Sequence, residues 1–484
     1  MHEIRKNAAR LRRRAVALPA SLLAALCLIA GAAVPVRASG IDWAEIGTEA
    51  ATFLSEYIRI DTTNPPGNEM PAAEFLASRF HGAGLEAKVF QSESGRGSVL
   101  ARLRGSGARR PVVLLNHLDV VPADPAGWAH PPFAGAIDSG YVYGRGAIDC
   151  KGIGVVEAMA LIAMKRAGTE LSRDVIFLGT ADEEEGGAQG AGWFVDSHFD
   201  ELGDPEFVLN EGGAIRQDPD GRRVYEVGVA EKTPFWLRLI ATGEGGHGST
   251  PRPNSAVTRL IRALDRIDRL EPRVRVIPEV QRYYRALAGL HAGETRERYR
   301  DLRAALRDPA FRTEFLAQPR DAALVRDTIA PTVLRGSAKT NVVPRTASAE
   351  FDCRLLPGDD PQAFLDHLKA TVGDDGVRFE VLLSFPSSSS DVGTALYRAI
   401  AAQAREHDRP VVPSVLRGFT DSHFFRERGV VAYGFVPVVI TREEGETLHG
   451  IDERMSLENL RDGPRRLVEI LQAVGGERGV TSDR

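Results

Sequence analysis

Short apolar runs that end on ionisable residues constrain this chain more than any other feature of its sequence. Val112 to Leu115, Val175 to Thr180 and Phe207 to Leu209 each read as a buried strand. They run into Asn116-His117-Leu118-Asp119, Ala181-Asp182-Glu183-Glu184-Glu185-Gly186-Gly187 and Asn210-Glu211-Gly212-Gly213. Open α/β sheets place their sites at such carboxyl ends. Further strands read at Leu85 to Val89 and Val99 to Leu103, with helices at Trp43 to Ile60, Ala72 to His81 and Ile153 to Arg166. Pro122 to Gly140, rich in proline, glycine and aromatic residues, reads as a structured loop. The alternation predicts a mixed, mostly parallel sheet covered by helices.

After about Glu231 the pattern changes. A strand (Phe235 to Thr242), a helix (Ser255 to Ile267), two strands (Val333 to Gly336, Ala349 to Leu356), a helix (Pro361 to Ala370) and a strand (Phe379 to Leu383) follow. That order is a β-α-β-β-α-β plait. An arginine-rich, helical insertion, Glu271 to Thr328, interrupts it, and the helix Val392 to His407 resumes the first pattern. A chain of 484 residues is too long for one ordinary domain. The expected organisation is an α/β domain in two parts, residues 41–231 and 387–478, with a smaller α+β domain, residues 232–386, inserted between them, and a return hinge near Ser387 to Ser390.

Residues 1–38 stand apart. A basic stretch from Arg5 to Arg14, an apolar run from Ala15 to Val34 and Val36-Arg37-Ala38 before Ser39 fit a cleaved signal peptide, and so an exported protein with no stable membrane span after processing. An uncleaved anchor is the rival reading, since the apolar run nears spanning length. The formal charge of −5 argues against a nucleic-acid partner, because no basic surplus is available for phosphates. Beyond the leader only Cys150 and Cys353 remain, and free buried thiols are expected rather than a disulfide framework.

His117, Asp149, Glu184 and Glu211 lie on separate strand ends or loops, and His449 stands in Thr447-Leu448-His449-Gly450-Ile451-Asp452-Glu453. Two imidazoles and three carboxylates suit a pair of zinc-like ions with one carboxylate bridging. Asp119 shares a face with His117 and can orient its imidazole. Glu183 points away from Glu184 and is free to act as a general base toward water, which implies hydrolysis. Arg145 and Lys151 read as counter-charges to the acidic cluster.

At these residues the chain resembles the M20 family of co-catalytic zinc metallopeptidases and amidohydrolases, in its carboxypeptidase S-like and N-acyl-amino-acid hydrolase branch. The motifs are His117-Leu118-Asp119, Gly144 to Gly152, Asp182-Glu183-Glu184, Asn210-Glu211-Gly212, Gly246-His247-Gly248-Ser249 and Leu448-His449-Gly450. The resemblance makes Asp149 the bridge between two Zn2+ ions (Mn2+ or Co2+ as substitutes). His117 and Glu211 would hold one ion, Glu184 and His449 the other. It makes Glu183 the base and Asp119 the partner of His117. It makes residues 232–386 a lid and dimerisation domain whose His247 stabilises the oxyanion in the neighbouring subunit of a homodimer. Asn341 and Arg354 match positions that bind the substrate's carboxylate, and Gly418 to Asp421 matches a loop packed beside the last histidine. The implied substrate is a small peptide, as for a carboxypeptidase or dipeptidase, or an N-acyl amino acid. A binding protein that has lost catalysis is the rival of another class. Cys150 departs from the Met or Asn of many relatives, and the insertion exceeds the compact family lid.

Overall fold

The structure, a computed structural model, describes residues 40–93 and 95–475. The segment read as a signal peptide lies outside them. Among the described residues no helix is long and apolar enough to cross a membrane. In chain order the strands are β1 (Glu86–Gln91), β2 (Gly97–Leu103), β3 (Val112–His117), β4 (Ala136–Asp138), β5 (Tyr141–Tyr143), β6 (Val175–Thr180), β7 (Phe207–Gln217), β8 (Arg223–Glu231) and β9 (Thr233–Thr242). They continue with β10 (Gly246–His247), β11 (Thr328–Arg335), β12 (Val342–Val343), β13 (Thr346–Leu355), β14 (Val377–Ser384), β15 (Val411–Leu416), β16 (Val431–Thr441) and β17 (Arg454–Ser456).

The large sheet has the order β1-β2-β6-β3-β7-β16-β8-β15. Its centre, β6-β3-β7-β16, is parallel, while β1, β2 and the β16–β8 pair are antiparallel. Every residue of β3 and β6 is buried, as a strand covered on both faces requires. The helices Trp43–Ile58, Lys151–Arg166 and Leu457–Gly475 pack together. A separate apolar cluster, including Phe194, Val195, Leu202 and Phe425, packs on Val113, Leu115, Ile176 and Leu178.

The second sheet, β11-β13-β9-β14, is antiparallel throughout. Its strand and helix order is the plait expected from the sequence. One face is apolar: Phe235, Leu237, Leu239 and Ala241 alternate along β9, and Ala347, Ala349, Phe351, Cys353 and Leu355 along β13. The helix Ala256–Asp268 covers that face with Ala256, Leu260, Ala263 and Ile267, residues at helical spacing; Ser255 caps it, its Oγ accepting from Thr258 N–H. The intervening residues of the same strands, Trp236, Arg238, Glu350, Asp352 and Arg354, take the opposite, polar face.

Three expectations need correction. Phe207 to Leu209 is only the start of β7, which runs on to Gln217, so Glu211 lies inside a strand. Pairing with β3 stops at Leu209, and between Asn210 and Ala214 the register against β16 shifts from Gly434 to Val436. Glu211, Gly212 and Gly213 thus form a bulge, with Gly212 at φ +100°. The 122–140 segment is not wholly loop, since it contains β4. β11 begins at Thr328, earlier than the expected Val333.

The arginine-rich insertion forms five helices between Pro278 and Val325. Their core, Val280, Tyr284, Leu302, Phe311, Phe315 and Leu324 among others, closes on Ala230 of β8 and Val415 of β15. The insertion therefore covers the edge strand of the large sheet, although it departs from and returns to the second. Buried Lys232, between β8 and β9, donates to the carbonyls of Ala323 (3.0 Å) and Arg326 (2.9 Å) and fastens the end of the insertion there.

Candidate metal centre

The carboxyl ends of β3 and β6 and the bulge of β7 converge. His117 ends β3 and is 2% exposed. Its Nδ1 lies 3.0 Å from the carbonyl oxygen of Asp119 and 3.3 Å from its Oδ1, both acceptors, so Nδ1 carries the hydrogen and Nε2 is the atom left free to bind an ion. Nε2 faces Asp149 Oδ1 at 2.9 Å and Glu211 Oε1 at 3.6 Å. On the other side His449 Nε2 lies 3.1 Å from Asp149 Oδ2 and 3.5 Å from Glu184 Oε1. The two oxygens of Asp149 thus face opposite imidazoles. Ligand atoms of His117, Asp149, Cys150 and Glu211 fall within 4.8 Å of one another, as do those of Asp149, Glu184 and His449.

The electrostatics favour cations in both cradles. Burial, reinforced by neighbouring carboxylates, pushes Glu183 and Glu211 well above the usual range, and burial also raises Glu184. Hydrogen bonds to Asp149 and Glu184 raise His449 to about 10. Burial would raise Asp149 too, but its hydrogen bonds with His117 and His449 outweigh it and hold it well below the usual range, so negative charge is concentrated where burial disfavours it. Glu184 Oε1 is buried, and its 3.5 Å contact with His449 Nε2 is too long to satisfy it. A divalent cation in each cradle would supply the missing positive charge and satisfy that oxygen, and hard oxygen with imidazole donors suits zinc-like ions.

Asp119 does more than hold His117. Its carboxylate accepts the backbone N–H of Glu183 (3.2 Å) and Glu184 (3.1 Å) and the side-chain amide of Asn64 (2.8 Å). One fully buried carboxylate therefore joins the end of β3 to the loop that carries both glutamates. That loop is a single tight turn at Glu183–Glu185, entered through Asp182 in the left-handed region (φ +71°) and left through Gly186 and Gly187 (φ +104° and +71°). A Cβ on Gly187 would strike the carboxylate of Asp421. His449 also takes a left-handed conformation (φ +56°), which costs a non-glycine residue on the order of 1 kcal/mol. Its turn is closed by Gly450 N–H donating to Thr447 O at 2.8 Å.

Sequence reasoning assigned no role to Glu453, although it ends the Thr447–Glu453 stretch. It is fully buried, and its carboxylate accepts from the N–H groups of Gly146, Ile148 and Asp149 (3.1, 2.8 and 2.9 Å) and from Arg145 Nη1 (2.5 Å). Arg145 is therefore the counter-charge of Glu453 rather than of the ligand cluster. Lys151 departs further from expectation. Its Nζ donates to the carbonyls of Ile60 (2.5 Å) and Tyr57 (3.4 Å), and burial lowers it to about 7. Glu453→Ala is expected to lower stability by about 3–5 kcal/mol, because it strands a buried guanidinium and three N–H groups. Urea denaturation of the metal-free protein measures this apart from any loss of ions. An unchanged midpoint would refute it. Asn64 and Glu453 carried no local pattern that marks them, whereas Asp421, which accepts from Thr180 Oγ1 at 2.9 Å, ends the Gly418 to Asp421 stretch that the resemblance had singled out.

The residues expected on the lid make no hydrogen bond to the five candidate ligands. His247 lies on β10, exposed, with Nδ1 accepting the backbone N–H of Ser249 at 3.1 Å. A backbone N–H can only donate, so in the neutral ring Nε2 bears the hydrogen and is the free donor. β10 pairs with β12, and Gly248 N–H donates to Asn341 O at 2.9 Å, so His247 and Asn341 are neighbours. Arg354 lies on the polar face of the second sheet. Its Nε and Nη2 donate to Asp352 (2.6 and 3.1 Å), its guanidinium stacks over Phe419 (5.0 Å), and Nη1 is buried without a partner. Cys150 and Cys353 are free and buried.

Residues 113–473 match the family described as Peptidase family M20/M25/M40. The chain is 30% identical over 367 residues to a probable carboxypeptidase S-like 2 of Dictyostelium discoideum, an alignment covering 73% of this chain and 69% of that protein. It is 32% identical over 378 residues to the N-fatty-acyl-amino acid synthase/hydrolase PM20D1 of Xenopus tropicalis, covering 75% and 72%. Its fold is similar to that of an M20 family metallo-carboxypeptidase, Sso-CP2, from Sulfolobus solfataricus, with a TM-score of 0.71 at 20% identity over 88% of this chain and 99% of that one.

Proposed function

Since the chain belongs to peptidase family M20/M25/M40, and so is a metallopeptidase or amidohydrolase that cleaves peptide or amide bonds, we propose that it acts with two divalent cations, zinc by preference, on bonds next to a residue bearing a free carboxylate. The observation that carries this reading is Asp149 facing His117 through one oxygen and His449 through the other. His117, Asp149 and Glu211 would hold one ion; Asp149, Glu184 and His449 the other. Bound there, the ions supply the Lewis acidity that amide hydrolysis needs at neutral pH.

The protein's own groups do the rest. Asp119 fixes the tautomer of His117 and the backbone of Glu183. Glu183, raised by burial, takes a proton from the attacking water and returns it to the leaving nitrogen. Nε2–H of His247 donates to the oxyanion, after closure of residues 232–386 as a lid or from the neighbouring subunit of a homodimer. Arg354 Nη1, with the adjacent Asn341 segment, receives the substrate carboxylate.

A carboxypeptidase or dipeptidase is the primary reading. The N-acyl-amino-acid reading gains from the apolar groups beside the glutamate loop, with Leu383 against Gly186 and Phe385 edge-on to Phe419. A panel of dipeptides and N-acyl amino acids, each with a free and an amidated carboxyl end, tests both. We expect chelator-sensitive release of amine from the free acids alone; equal hydrolysis of the amidated forms would sink the carboxylate requirement. Export is proposed on the basic and apolar segments of residues 1–38. Mature protein beginning at Met1 inside the cell would refute it.

A further inference from the structure

We propose that Cys150 is a fourth donor to the ion held by His117, Asp149 and Glu211, so that the two ion positions differ in chemistry. One is enclosed and sulfur-bearing; the other is bound by nitrogen and oxygen and is open to solvent. The inference rests on the two-metal reading above and adds a ligand and an order of loading to it.

The two free cysteines are equally buried, each 0% exposed, yet their surroundings differ. Cys353 is packed in the apolar core of the second sheet among Leu237, Leu239 and Phe351. A thiol there is a small hydrophobe. Cys150 instead has its Sγ within 4.8 Å of ligand atoms of His117, Asp149 and Glu211. Zinc–nitrogen and zinc–sulfur bonds of about 2.0–2.3 Å place the donors of a tetrahedral ion about 3.5 Å apart, so a small contraction around the ion brings all four into its shell.

The backbone supports the same outcome. Cys150 is the N-cap residue of the helix Lys151–Arg166, whose first turn contains no acidic residue. The N-terminal end of that helix lends positive potential beside Sγ, while burial pushes the metal-free thiol up, so the sulfur becomes a donor only with an ion in place. As the Sγ–metal bond forms, the thiol proton leaves to solvent and charge is conserved.

The second position has no such donor. Its imidazole, His449, has a side chain 52% exposed, against 2% for His117. Sulfur selects soft and borderline ions, so the first equivalent of zinc, cobalt or cadmium should enter the enclosed position and the second should bind more weakly.

Titration of the metal-free, full-length protein with Co2+ tests this directly, because thiolate coordination gives a near-ultraviolet sulfur-to-cobalt charge-transfer band. The band should grow with the first equivalent and be complete before the second binds. Cys353→Ser should keep it. Cys150→Ser should lose it while still binding two equivalents, the first at least about tenfold more weakly. Should Cys150→Ser fail to fold, wild type and Cys353→Ser still decide the matter. Two bound equivalents with no sulfur band, or a band arising only with the second, would overturn the proposal and leave the two-metal reading intact. No binding of Co2+ at all would overturn both.

Discussion

Glu183→Gln is expected to lower kcat by roughly 10²–10⁴-fold with the two metal equivalents still bound. The substitution keeps shape and removes only the capacity to take a proton. Position is preserved because the Glu183 backbone, not its side chain, is held, through its N–H to Asp119 Oδ1. The neighbouring N–H of Glu184 donates to the other oxygen of Asp119, so the carboxylate of Glu184, proposed as a ligand, keeps its place as well. Burial and the nearby Glu211 raise Glu183, which suits a group that must hold a proton between two steps. Elemental analysis together with steady-state kinetics on one cleaved substrate measures both halves. A kcat within tenfold of wild type would remove the base from Glu183.

Asp149→Ala should weaken the binding of both ions and abolish measurable turnover, whereas His449→Ala should weaken the binding of one. The asymmetry follows from geometry. Asp149 stands 2.9 Å from one imidazole and 3.1 Å from the other through different oxygens. Without it the enclosed cradle keeps only His117, Glu211 and the proposed Cys150 donor, and the solvent-facing cradle falls to Glu184 and His449, too few donors for tight binding. Loss of His449 leaves the cradle of His117, Asp149 and Glu211 whole. Metal titration of each variant separates the cases; an Asp149→Ala protein that binds either ion as tightly as wild type would refute the bridging assignment.

The parts of this molecule that were legible in the sequence are those fixed by local pattern. β3 and β6 are short apolar runs, and their ends carry His117 and Glu184 because a buried strand must return to polar company where the sheet stops. The plait of the second sheet showed in the alternation along β9 and β13. Glu211 was found but misplaced, because the bulge that presents it is set by a register shift against β16, which follows it by more than 200 residues. Glu453 and Asn64 went unassigned for a related reason: each is defined by a partner brought near only by folding, Arg145 in one case and Asp119 in the other. The docking of the insertion on Ala230 and Val415 was equally hidden, since amphipathic helices declare that they have a partner and not which one.

That docking ties the two sheets together mechanically. The helices from Pro278 to Val325 share a backbone with the second sheet and an apolar core with the edge of the first. A swing of the second sheet about the chain crossings near Lys232 and Ser389 would pull those helices along β15 and wet the rings of Phe311 and Phe315. The insertion is thus an outrigger, and how far the second sheet can swing against the large one is limited by how far that strut can yield.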